Sequence, residues 1–185
     1  KCKKISGYLG QGWVVKASVG HVRDLPKKEL GVDPDNRFRP SYVVSEDKQR
    51  VVRDLQTAAK NAEEIWLAMD PDREGEAIAY HLRTVLGLGD NYQRVTFSEI
   101  TKAAITASLA KARKLDTSQI AAQETRRILD RLFGYLVSPA LQQQTDISMS
   151  AGRVQSPTVG LVVDRERSIQ NFEERRHYGA EITLE

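Results

Sequence analysis

The stretch IWLAMDPDREGEAIAYHL, residues 65–82, sets Asp70, Asp72, Glu74 and Glu76 at alternate positions directly after five mostly apolar residues. Residues 65–69 have the length and character of a buried strand, and from Glu74 to Leu86 the apolar side chains return at helical spacing, with Ala77, Ile78, Leu82 and Val85 on one side beside His81. Strand, short loop and helix in that order place residues 70–73 at the carboxyl edge of a sheet, where open α/β sheets bind their ligands. In extended backbone residues two apart project to the same side, so Asp70 and Asp72 point together and Glu74, in the first helical turn, can join them. Three carboxylates that close repel one another unless a cation neutralises them. A hard divalent ion with oxygen ligands, Mg²⁺ first, suits such a set and bridges readily to phosphate, which Arg73 beside the acids would also serve.

Two plainer readings compete. Acids in a first helical turn favour the helix dipole, and Asp-Pro is common turn chemistry. That accounts for Glu74 and Glu76 but leaves Asp70 and Asp72 unexplained. A helix–loop–helix calcium site opens with a similar D-x-D-x-E-G run, but its twelfth position needs a bidentate glutamate and this chain has His81.

Outward from this stretch, residues 12–19 are apolar and β-branched enough for a strand, and residues 21–42, with three prolines and many charges, read as an irregular loop. Residues 47–62 and 101–112 read as helices, and residues 92–97 as a strand. Strands alternating with helices predict an α/β fold with a mostly parallel sheet covered on both faces. After about Leu115 the pattern turns mainly α-helical: residues 117–137 and 153–170 are predicted helices, joined by a Ser/Gln/Gly-bearing stretch. Residues 177–184 read as one isolated strand.

At 185 residues with 40% apolar and 29% charged side chains, the chain is long enough to bury a core. Its single cysteine, Cys2, cannot form an internal disulfide, which suits a reducing cytoplasm. The longest apolar runs are too short to span a bilayer, and no secretion signal is visible. Residues 1–60 carry 13 Lys+Arg against 7 Asp+Glu, residues 61–100 carry 3 against 8, and residues 101–185 carry 12 against 10. Basic flanks around an acidic centre can hold a phosphate chain with a cation between it and the carboxylates, although ordinary solvated surface has the same composition.

In the helical half, Arg127 and Arg131 lie four apart and share a face, with Ile128, Leu132 and Leu136 on another. Two guanidiniums so placed can grip successive phosphates; the alternative is a solvated pair with one arginine neutralised by Asp130. SAGRVQ, residues 150–155, offers a small-residue turn entering a helix, which is either an anion site or a plain cap made by Ser150.

DPDREGEAIAYHL resembles the acidic motif of the Toprim domain in type IA DNA topoisomerases. SVGHVRDLP (18–26), VTFSEITKAAI (95–105), ETRRILDRLFGYLVSP (124–139) and SAGRVQSPTVGLVVDRERSI (150–169) are similar to the family's segments in the same order, so the resemblance covers effectively the whole chain. It implies a Toprim domain over residues 1–115 lacking its first strand, part of a helical DNA-binding domain over 116–172, and the start of an arch domain from 173. Asp70, Asp72 and Glu74 would form the Mg²⁺ site near the scissile phosphate. Lys1 and His21 would reach the DNA. Arg126, Arg127, Asp130, Arg131 and Tyr135 would line a groove for single-stranded DNA, and Ser150, Gly152, Arg153 and Gln155 would contact the strand near the cut.

The intact enzyme of that family cuts one strand through a 5′-phosphotyrosine and reseals it, relaxing negative supercoils without ATP. By resemblance it would be cytoplasmic, associated with the bacterial nucleoid, and monomeric. The family's first-strand glutamate and its nucleophilic tyrosine match nothing here, so this chain alone is expected not to cleave DNA. A Toprim primase or nuclease, a non-catalytic DNA-binding module and a calcium-binding interaction protein are the rival readings. The first would lack the arginine helix and the SAGRVQS turn, salt-dependent DNA binding with and without Mg²⁺ tests the second, and the third predicts Ca²⁺ binding without DNA affinity.

Overall fold

The computed structural model describes residues 1–145 and 147–183. Contacts divide the chain into two compact units, Lys1–Leu132 and Phe133–Glu185.

The first unit is built on the strand–loop–helix stretch. Strand β5 (Trp66–Met69) buries Leu67, and α3 (Arg73–Leu86) follows it. The Asp72 carboxylate caps α3, accepting from Gly75 N at 2.7 Å, and Gly87 ends it in the left-handed conformation (φ 65) that glycine adopts without steric cost. Strand β6 (Gln93–Thr96) pairs with β5 in parallel, Leu67 opposite Arg94 and Met69 opposite Thr96. Helix α2 (Gln49–Lys60), preceded by a 3₁₀ turn at Glu46–Lys48, presents Val52 to the same core as Val22, Leu67, Ala79, Leu82 and Tyr92. Helix α1 (Cys2–Leu9) packs against α4 (Lys102–Leu109), and α5 (Thr117–Leu132) lies along α3. Between α1 and α2, β1 (Arg23–Asp24) pairs antiparallel with β4 (Val43–Val44), and β2 (Val32–Asp33) with β3 (Arg39–Pro40). The α/β reading holds, but the parallel sheet is a single pair among the described residues, extended only by a bridge between Arg94 and Arg113.

Residues 12–19 depart from the expected strand: they belong to no strand. Their contacts run through side chains or single carbonyls instead of a ladder. The Trp13 ring meets Trp66 edge-on at 5.6 Å, Lys16 Nζ lies 2.7 Å from Asp54 Oδ2, and Lys48 Nζ donates to Val19 O at 2.9 Å. β-Propensity without a hydrogen-bonding neighbour leaves such a run irregular.

In the second unit a π-helical turn, Phe133–Val137, leads into α6 (Ser138–Thr145), and α7 spans Gln155–Gln170. Helix α6 replaces part of the expected joining stretch, because Pro139 is tolerated in a first turn and Ala140, Leu141 and the glutamines are good helix formers. The isolated strand expected at 177–184 does not form over 177–183, where no neighbouring strand supplies a ladder; Leu184 lies outside the described residues. Among the described residues no helix is long and apolar enough to cross a membrane.

Candidate active site

Asp70, Asp72 and Glu74 all lie exposed at the carboxyl end of β5 and the start of α3. They do not converge as a trio: among the described residues no group of three or more His, Cys, Asp or Glu side chains stands close enough to hold one ion. The expected three-carboxylate set is thus not gathered in this arrangement. Asp72 is extended (φ −120, ψ 174) and turns its carboxylate onto the helix as a cap, while Glu74, already helical, turns to His21. Mg²⁺ is usually held by one or two protein carboxylates with water and phosphate completing its shell, a condition that acids placed on one loop can meet.

His21 reaches Glu74 from a different part of the chain, its Nε2 standing 3.3 Å from Glu74 Oε1. The turn that delivers it places Val19 (φ 56) and Gly20 (φ 85) in the left-handed region, unusual for a β-branched residue. Behind this pair, Arg23 Nε donates to His81 Nδ1 at 2.7 Å, and the Arg23 guanidinium lies 5.2 Å from the Tyr42 ring centroid and 5.5 Å from that of Tyr80. Burial, aided by the charge of Arg23, pushes the His81 imidazole down to about 4, so it is neutral. Burial also raises the Glu124 carboxyl, against the pull of Arg23 and a hydrogen bond with Tyr42.

The fourth carboxylate of the motif, Glu76, is fully buried. Arg94 Nε donates to its Oε2 at 3.0 Å, Arg113 to both oxygens at 2.8 and 3.0 Å, and Asp116 N to Oε1 at 2.7 Å. Burial alone would raise its carboxyl, but these hydrogen bonds and the two guanidinium charges outweigh it and hold the group below the ordinary carboxylate range. Sequence reasoning gave Glu76 no role beyond the helix dipole and missed Arg94 and Arg113. One available signal was the strand position of Arg94, where a charge on a buried strand needs a partner.

Two arginines of α5 are engaged within the first unit. Arg127 and Arg131 do share a face of α5; Arg131 is buried there, whereas the Arg127 side chain stays 40% exposed. Arg127 grips Asp24 bidentately at 2.8 and 2.6 Å and, against the effect of burial, holds that carboxyl below its usual range. Arg131, 8% exposed, donates to the carbonyls of Pro26 (2.8 Å), Glu29 (3.2 Å) and Leu25 (3.3 Å). Both therefore clamp the loop that follows His21. Arg126 is exposed on the same helix, Asp130 is half-buried, Arg73 is exposed in the first turn of α3, and Lys1 is exposed just before α1.

In the second unit, Tyr135 is 37% exposed within the π-helical turn. Val154, not Ser150, caps α7, and makes no side-chain cap bond. Ser150 Oγ instead donates to Gln155 Oε1 at 3.3 Å, and Gly152 lies so close to Gln155 that an added Cβ would stand 3.2 Å from Oε1. Arg153 is half-buried in the same turn.

A family model described as "Toprim domain" matches residues 1–100, and one described as "DNA topoisomerase" matches residues 114–185. The chain is 55% identical over 181 residues to a curated plasmid DNA topoisomerase I of Xylella fastidiosa (strain 9a5c), covering 97% of this chain and 27% of that protein. The solved structure of full-length topoisomerase I from Thermotoga maritima superposes with a TM-score of 0.83 at 45% identity, covering 93% of this chain and 29% of that one. The chain thus spans less than a third of either relative's length.

Proposed function

Because the chain belongs to the Toprim family, in the form carried by bacterial type IA DNA topoisomerases, we propose that it is part of an ATP-independent enzyme that cuts and reseals one DNA strand to relax negative supercoils. The observation that carries this is the exposed Asp70–Asp72 pair at the end of β5 with the His21–Glu74 pair beside it. The DNA topoisomerase match over residues 114–185 disfavours a primase or nuclease.

In the proposed reaction a tyrosyl oxygen attacks phosphorus, the P–O3′ bond breaks and the 3′-oxygen takes up a proton; resealing reverses each change. The resemblance places the nucleophilic tyrosine in a later domain, and the chain spans 27% of the plasmid topoisomerase's length, so none of its six tyrosines is assigned that role. Asp70 and Asp72 would hold the divalent cation, Mg²⁺ by preference, which supplies neutralisation of the scissile phosphate when bound. Glu74, oriented by His21 instead of completing the ligand set, is suited to exchange the proton of the 3′-oxygen. Arg126, exposed on α5, and Arg153 would each supply a phosphate contact, in keeping with the role the resemblance implies for both. A single-stranded substrate, a monomeric enzyme and a cytoplasmic site of action complete the reading.

The test is anisotropy-detected binding of single- and double-stranded oligonucleotides across a salt series, with and without Mg²⁺. Tighter binding of the single strand is expected. Arg126→Ala and Arg153→Ala should each flatten the log–log salt slope by about 0.7, the loss of one single-strand phosphate contact. Equal slopes for wild type and both variants would remove the proposed DNA contacts.

A further inference from the structure

We infer that Arg94 is the positioning residue of the acidic loop: its buried guanidinium fixes the backbone from which Asp70 and Asp72 project. The inference deepens the proposed function, since it concerns the same loop.

Arg94 stands on β6 opposite Leu67, with no solvent exposure. Its side chain crosses to the carboxyl end of β5, where backbone carbonyls run out of ladder partners. Nη1 donates to Met69 O at 3.0 Å, more distantly to Leu67 O at 3.4 Å, and also to Val95 O; Nη2 donates to Asp70 O at 2.9 Å. Neutralising Glu76 does not account for this arrangement. Arg113 already supplies that carboxylate with two hydrogen bonds and Asp116 with a third, and the further bond of Arg113 goes to Lys114 O, not to the acidic loop. Among the described residues only the Arg94 guanidinium joins the Glu76 carboxylate to the carbonyls of residues 69 and 70.

The opposite side of Asp70 is closed as well. A Cβ on Gly75 would lie 2.3 Å from the same Asp70 oxygen, so the first turn of α3 sits directly on the peptide that Arg94 holds. Asp70 O is gripped between a charged donor and a glycine, and two residues later Asp72 is tied back to Gly75 N at 2.7 Å. Both candidate cation ligands therefore project from a backbone whose position Arg94 sets. A planar guanidinium can satisfy several divergent carbonyls at once, whereas a lysine ammonium is a point charge with three donors.

Positioning is separated from general stability by comparing Arg94→Met and Arg94→Lys with Arg113→Gln, which removes two Glu76 bonds and leaves the loop carbonyls untouched. The first readout is hydrogen exchange at the Gly75 and Glu76 amides, referenced to the Val52 amide in α2. The second is Mn²⁺ affinity of the whole chain, followed by electron paramagnetic resonance of the free ion. Arg94→Met should speed the two loop amides at least tenfold relative to Val52 and weaken Mn²⁺ binding at least fivefold. Arg94→Lys, the variant to use if the methionine chain does not fold, should lie between it and wild type. Arg113→Gln should lower the melting temperature but change neither readout by more than twofold. If the Arg94 variants resemble Arg113→Gln in both readouts, the inference is overturned. A wild-type chain that binds no Mn²⁺ would defeat the cation in the proposed function, and the amide exchange would still decide the role of Arg94.

Discussion

Replacing Gly75 by alanine sets two effects of opposite sign against each other. Gly75 lies in the first turn of α3, and alanine is the better helix former by roughly 1 kcal/mol in a helix interior, less near an end. On propensity alone Gly75→Ala stabilises. The added Cβ would stand 2.3 Å from Asp70 O and 3.1 Å from Asp70 N and C. Close carbon–oxygen contacts settle at about 3.3–3.6 Å, so the shortfall is about 1 Å. The obstructing atom is backbone and is itself held by Arg94, so it cannot swing aside as a side-chain tip would. Overpacking of this size costs about 1–3 kcal/mol, and the rigid neighbour puts this site toward the upper end. The net expectation is destabilisation of about 1–2 kcal/mol, a fall in melting temperature of roughly 2–4 °C per kcal/mol for a chain of this length. Urea denaturation followed by circular dichroism measures it, and Mg²⁺-dependent binding of single-stranded DNA reports the displaced loop. A Gly75→Ala chain as stable as wild type, with Mg²⁺ dependence intact, would refute the packing of the Asp70 peptide against α3 and with it the placement of both aspartates.

Asp72 both caps α3 and is a candidate ligand, and two substitutions separate these roles: Asp72→Asn keeps a good cap, so it should leave stability within about 0.5 kcal/mol while weakening Mn²⁺ binding, whereas Asp72→Ala should also lose about 1 kcal/mol in denaturant titration. His81 is neutral when folded, so below the unfolded value of 6.5 the unfolded chain takes up a proton that the folded chain refuses. Stability should therefore fall as pH drops from about 6.5 towards about 4, by at most about 3 kcal/mol, and His81→Gln should flatten the curve between pH 6.5 and 5 in pH-dependent urea melts. The Asp24–Arg127 pair is partly exposed, so a double-mutant cycle to alanine should return a coupling of about 1 kcal/mol, reduced by half a molar salt; zero coupling would remove the clamp on the loop after His21.

Elements whose pattern closes locally were legible. α2, α3 and α4 carry their own periodicity, Asp72 and Gly87 mark the ends of α3, and the short apolar run before the acidic loop could only be a strand in that context. Residues 12–19 and 177–183 failed for one shared reason. A strand exists only with a neighbour, and β-branched composition states a preference without supplying the partner. The arginine helix is a different case. Spacing rightly put Arg127 and Arg131 on one face, but whether that face meets solvent or the residue 24–29 loop depends on Asp24, 103 positions earlier. No local rule reaches that distance.

The acidic stretch shows the same division within seven residues. Asp70, Asp72, Glu74 and Glu76 are similar carboxylates at even spacing, and a two-residue period would send them all one way. The period changes at Asp72, where extended backbone becomes helix. After that point each step of two residues rotates the side chain by about 200° about the helix axis, so Glu74 and Glu76 lie on nearly opposite sides. Glu74 faces outward to His21, and Glu76 faces the sheet, where Arg94 and Arg113 neutralise it. The acid that is least available to substrate thus secures, through Arg94, the backbone of an exposed one, Asp70. A uniform run of four negative charges becomes two candidate ligands, one candidate proton-transfer group and one buried anchor because the backbone changes its period in the middle of it.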